Sequence, residues 1–113
     1  MLRVDERRRH QREILTCPVA LRDQAGRVLF RGRAADIAPG GIRIIGKGGR
    51  LLEEGQPVWV ELTLPRVRAT GPRTRLVKLA GEVRRVDVMG EWRSVIVIIF
   101  DTEFRREFLD PTL

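Results

Sequence analysis

With 113 residues, 42% of them hydrophobic and 33% charged, the chain has room for one domain with one modest core and excludes a sequence too polar to collapse. Its 22 basic side chains outnumber 15 acidic ones and leave +7, nearly all of it arginine, a side chain whose planar fork pairs with phosphates and guanine edges. The longest wholly apolar run, Val95 to Phe100, is far short of the roughly 20 residues of a membrane span, and the N-terminus has no apolar signal region, so a cytoplasmic protein is expected.

Residues 1–13 read as a charged arm, and residues 14–113 as the folded domain. The first strand-like run, Ile14 to Arg22, places Leu15, Cys17, Val19 and Leu21 on one parity. Pro18 cannot donate to a ladder, which predicts an edge strand or a local irregularity. Arg27 to Ile37 and Ile42 to Ile45 follow, joined by the tight corner Ala38-Pro39-Gly40-Gly41. After a Gly-rich loop, Gly46 to Gly55, the run Pro57 to Leu64 alternates cleanly, with Val58, Val60, Leu62 and Leu64 inward. Trp59 points outward, toward the terminal helix or a partner surface.

Pro65 to Arg75 reads as a basic hairpin loop, and Leu76 to Val88 as the next strand. Within it Val77, Leu79 and Val83 share a parity that Val86 and Val88 break, which predicts a bulge near Arg84-Arg85. The run Val95 to Phe100 is apolar at consecutive positions, so both faces are expected to be covered. A short helix from Glu103 to Leu109, with Phe104 and Phe108 four apart, would supply one cover. The sum is an all-β fold: a small antiparallel barrel closed by a C-terminal helix.

The missing residues limit the chemistry. Cys17 and His10, each the only one of its kind, are too few for a disulfide or a structural zinc site. Ser94 is the only serine, so a Ser-His-acid triad would need His10 from the opposite end of the chain, and no residue set supports an enzyme or a cofactor. Aromatics at 5% show no alternating stacking platform, which argues against a single-stranded nucleic-acid binder.

Two segments remain. Arg8-Arg9-His10-Gln11-Arg12 has R-x-x-x-R spacing, and Asp36-Ile37-Ala38-Pro39-Gly40-Gly41 is a D-x-A-x-x-G segment at a strand corner. Together they resemble the PilZ domain, whose pattern is an R-x-x-x-R arm followed by [D/N]-x-S-x-x-G. The resemblance extends through the Leu52 to Leu64 stretch, the Gly81-Glu82-Val83-Arg84 strand and the strand closing on Phe100. It implies a six-stranded antiparallel barrel with a C-terminal helix, and a receptor for the bacterial second messenger cyclic di-GMP.

On that resemblance Arg8, Arg9 and Arg12 would grip phosphates or guanine edges, and Asp36 would accept from the guanine N1 and N2 donors. Gly41, with Gly40, would let the backbone approach the ligand or take positive φ. Ala38 stands where the family has Ser, so one hydroxyl contact to the ligand is missing. Ligand binding is expected to order the arm and alter the surface shown to a downstream protein. The alternative is a degenerate module of the same fold that binds a protein and takes the nucleotide weakly or not at all.

Overall fold

A computed structural model gives the structure, described over residues 17–49, 51–65, 74–90 and 92–102. Six strands fall in chain order: β1 Pro18–Arg22, β2 Val28–Ala38, β3 Gly41–Lys47, β4 Pro57–Pro65, β5 Thr74–Met89 and β6 Arg93–Phe100. All pairings are antiparallel and close in the order β1-β2-β3-β6-β5-β4, because β1 bonds to both β2 and β4. The expected six-stranded barrel is therefore present. The expected helix from Glu103 and the boundary between arm and barrel lie outside the described residues.

Closure follows from period-two patterning. One face of every strand feeds a single core, and Leu21, Ile37, Ile44, Val58, Val60, Leu62, Leu64, Val83, Ile96 and Ile98 are all but completely buried there. Full burial of each such side chain contributes about 1.5–3 kcal/mol. Leu52, from the loop between β3 and β4, joins the same cluster. That loop is tied across the barrel, with Gly55 N–H donating to the Val83 carbonyl at 2.7 Å. Cys17 is a buried free thiol, and burial raises its pKa, as suits a small core hydrophobe.

Three sequence expectations change in the structure. β1 is not an edge strand, though it carries the alternative expected of it, a local irregularity, between Leu21 and Arg22: Pro18 occupies its first position and pairs only with Arg33 of β2, so its missing N–H interrupts no ladder to β4. β3 runs on to Lys47 and absorbs Gly46, which was expected to open the loop. Gly46 faces Gly32, and a Cβ on it would lie 2.4 Å from the Arg31 carbonyl oxygen, so the small residue here serves a close strand pairing. On β6, Ser94, Ile96, Ile98 and Phe100 face inward, while Val95 and Val97 are only partly covered and Ile99 is exposed. The bulge predicted near Arg84-Arg85 is found, as a register shift between Val83 and Arg85.

Candidate functional site

The corner between β2 and β3 collects the described half of the sequence-predicted site. Its position depends on a second bulge that sequence reasoning missed. Ala34, inward and buried, pairs with Ile44, and the next pair is Asp36 with Arg43, so Ala35 is an extra residue. Strict alternation from Ala34 would have turned Asp36 into the core, where an unpaired carboxylate is very costly. The extra residue turns it to the outer face and returns Ile37 to the interior opposite Ile42. The signal is present as a parity slip, because Phe30 and Ala34 share a parity that Ile37 breaks.

On the outer face, the Asp36 carboxylate stands 4.0 Å from an Arg43 guanidinium nitrogen, with 23% and 51% of the two side chains exposed. Arg43 is a residue that the motif alone does not include. A tight turn fixes which residues oppose one another: Ala38 meets Gly41, Ile37 meets Ile42 and Asp36 meets Arg43, so the pairing can be counted from the corner. Arg31 and Arg33, both exposed on β2, extend the positive charge along the same strand.

The two glycines of the corner differ. Neither takes positive φ, so that part of the expectation is corrected. A Cβ on Gly41 would lie 2.4 Å from the Ile98 carbonyl oxygen of β6, which makes its smallness a requirement of the barrel. A Cβ on Gly40 would meet nothing within 4 Å, and the Gly40 carbonyl accepts the Phe100 N–H at 2.9 Å. Ala38 closes the turn opposite Gly41 and is partly exposed. Asp36, Ala38, Gly40 and Gly41 are thus brought to one corner, while Arg8, Arg9 and Arg12 lie outside the described residues.

Trp59 is outward and 38% exposed, paired in register with Arg22 on one side and Ala80 on the other. It belongs to the β1-β4-β5 face, away from the corner. Among the described residues no group of three His, Cys, Asp or Glu side chains is placed to hold a metal ion, and no helix is long and apolar enough to cross a membrane.

Among solved structures, the chain resembles the structure of the Bacillus subtilis inhibitor of motility, MotI/DgrA, with a TM-score of 0.61 at 20% identity. The match covers 86% of this chain but 44% of that one, so this chain spans less than half the length of its structural neighbour. No curated protein matches it. The PilZ domain family model matches residues 6–110, a span that takes in the arm, the corner and all six strands. With the closed barrel and the D-x-A-x-x-G corner between β2 and β3, that match makes the chain a member of the PilZ domain family, a family of binding domains that act as cyclic di-GMP receptors.

Proposed function

We propose that this chain is a non-enzymatic receptor for cyclic di-GMP, which it holds between the arm and the β2–β3 corner. The observation that carries the reading is the Ala35 bulge, which sets Asp36 on the outer face beside the Pro39-Gly40 turn. A carboxylate there can accept from the N1 and N2 donors of a guanine, and Arg8, Arg9 and Arg12 offer forks for the phosphates and the purine edge. Gly40 supports the same reading, since the barrel does not need its smallness and a ligand passing close to the backbone would. Folding of the arm over the ligand would change the surface shown to a downstream protein. The reading also places the chain in a bacterial cytoplasm.

Titration calorimetry with cyclic di-GMP tests this directly. Saturable heat at one site, severely weakened in Arg12→Ala and in Asp36→Ala, is the expected result. No heat at high micromolar ligand would overturn it.

A second reading rests on Ala38, where the family has Ser, and on the outward Trp59. In it the barrel is a protein-interaction module that the nucleotide engages weakly or not at all. A protein partner captured equally well with and without the nucleotide, and lost on Trp59→Ala, would favour it. The inhibitor of motility shares the fold with this chain.

A further inference from the structure

At the end of the barrel far from the corner, the β5–β6 hairpin carries an unusual load. Val88 and Met89 end β5 and Trp92 precedes β6, and they are 52%, 55% and 72% exposed. Leu51, from the loop that leaves β3 at this same end, is 92% exposed. That loop is held beside the hairpin by Ser94, whose hydroxyl donates to the Gly48 carbonyl. Four large apolar side chains thus lie at one end of the barrel, whereas Val28, Ile45, Trp59 and Ile99 are only 37–43% exposed and Leu76, at 61%, lies at the start of β5. Scattered single exposures need no explanation, but a cluster at one end of the barrel does.

Positive charge lies level with Met89. Lys47 of β3, Arg93 of β6 and Met89 of β5 occupy one register row, and all three are exposed. Neither Lys47 nor Arg93 has an ion-pair partner among the described residues. The next charges on β5, Arg85 and Asp87, neutralise each other at 2.9 Å. By sequence the turn adds one acid, Glu91, and the loop one base, Arg50, while Glu53 and Glu54 lie toward Gly55, where the loop bonds across to Val83.

We propose that this end of the barrel docks on an anionic lipid surface, with Met89, Trp92 and Leu51 entering the interface, Val88 behind them at the barrel mouth, and Lys47 and Arg93 meeting lipid phosphates. The shape suits a bilayer better than a protein groove. A convex tip can enter a fluid boundary without a complementary cavity, and tryptophan settles at the headgroup level. The cations sit level with Met89 and about one strand residue, roughly 3 Å, behind Trp92, with Val88 one row deeper opposite Ser94, which matches a shallow interfacial insertion led by Trp92. The net charge of +7 adds attraction to an acidic leaflet. This surface is separate from the nucleotide corner and stands whether or not that corner binds a nucleotide.

The test uses the full chain and its two tryptophans. In Trp59→Phe, Trp92 is the only reporter. Vesicles of phosphatidylglycerol and phosphatidylcholine in about equal parts should shift its emission to the blue, and brominated acyl chains should quench it. Phosphatidylcholine vesicles alone should do neither. Lys47→Gln and Arg93→Gln should each weaken partitioning about fivefold, and Trp92→Ala should weaken it further. Should Trp59→Phe fold poorly, the same change seen in the unmutated chain must disappear in Trp92→Phe. Vesicle binding that leaves Trp92 unquenched would put the contact elsewhere, on the basic arm for instance, and overturn the proposal. A Trp92 response to soluble polyglutamate but not to vesicles would overturn it in favour of an acidic protein partner.

Discussion

The two hairpins that β3 and β6 touch at their opposite ends, about 20 Å apart along seven strand residues, are built on opposite plans. The β2–β3 corner, Ala38-Pro39-Gly40-Gly41, is made of small residues, so the strands close tightly and the space above the turn stays open. The β5–β6 tip leaves Val88, Met89 and Trp92 exposed to solvent. One end leaves its backbone open, the other presents side chains. The same barrel core supports both, since Ile42, Ile44, Ile96 and Ile98 face inward along the full length of the β3–β6 pair.

The sharpest way to break this contrast is Gly41→Val. Its Cβ would collide with the Ile98 carbonyl oxygen, a backbone atom that cannot swing aside, so β3 and β6 would have to separate. A loss of about 3 kcal/mol or more is expected in urea unfolding. An unchanged midpoint would show that the corner is not as tight as described.

Next in size are effects on ligand affinity that leave the fold alone. Asp36→Ala removes the acceptor, and Arg12→Ala a charged donor, so each should weaken cyclic di-GMP binding by about tenfold to a hundredfold. The partly exposed contact of Asp36 with Arg43 is worth at most about 1 kcal/mol, so its loss in Asp36→Ala should leave the barrel folded. Affinity that survives both changes would remove the corner from the binding reading while leaving the fold untouched.

Those residues also separate what local sequence pattern can reveal from what only chain closure decides. The β5 bulge is legible because valines on both sides of it declare their parity: Val77, Leu79 and Val83 against Val86 and Val88. The β2 bulge is far harder to read, because Ala34 and Ala35 suit either face and the slip shows only when Phe30 and Ile37 are compared across them. Asp36 stands out in the sequence as a motif residue, but the reason it faces outward lies in that bulge. Gly41 reads as freedom for the ligand or for φ, whereas its neighbour is the β6 backbone, a partner nearly 60 positions away that no local pattern reveals. Pro18 misleads for a related reason: whether a strand has an edge depends on whether β1 finds β4.

At the other end, Ser94→Ala tests what holds the tip and its loop together. Ser94 is almost fully buried, and its hydroxyl is the donor to the Gly48 carbonyl. Removing it leaves that carbonyl without its side-chain partner, at a cost of about 1–2 kcal/mol in chemical unfolding. Hydrogen exchange should show faster opening in the loop and in the start of β6, with the corner strands unaffected. Uniform loosening of the whole barrel would mean that the two ends are not energetically separate. A smaller change is expected at the corner from Ala38→Ser. Restoring the family's hydroxyl should tighten cyclic di-GMP by up to about tenfold, read by calorimetry, with no loss of stability at this partly exposed position.

Gly40→Ala gives the smallest structural effect and the finest distinction. Its φ is not in the left-handed region, and a methyl group there would meet no atom within 4 Å, so the folded state accepts alanine without strain. The unfolded chain loses freedom, and stability should rise by about 0.4–1 kcal/mol. Gly41, one residue on, should show the reverse. If the ligand runs close to the turn, the methyl group that the barrel ignores must stand in its way, and cyclic di-GMP affinity should fall even as the melting temperature rises. Because the two readouts move in opposite directions, a damaged fold cannot imitate this result. A rise in stability with unchanged affinity would leave Asp36 and the arm as the contacts and take the turn backbone out of the site.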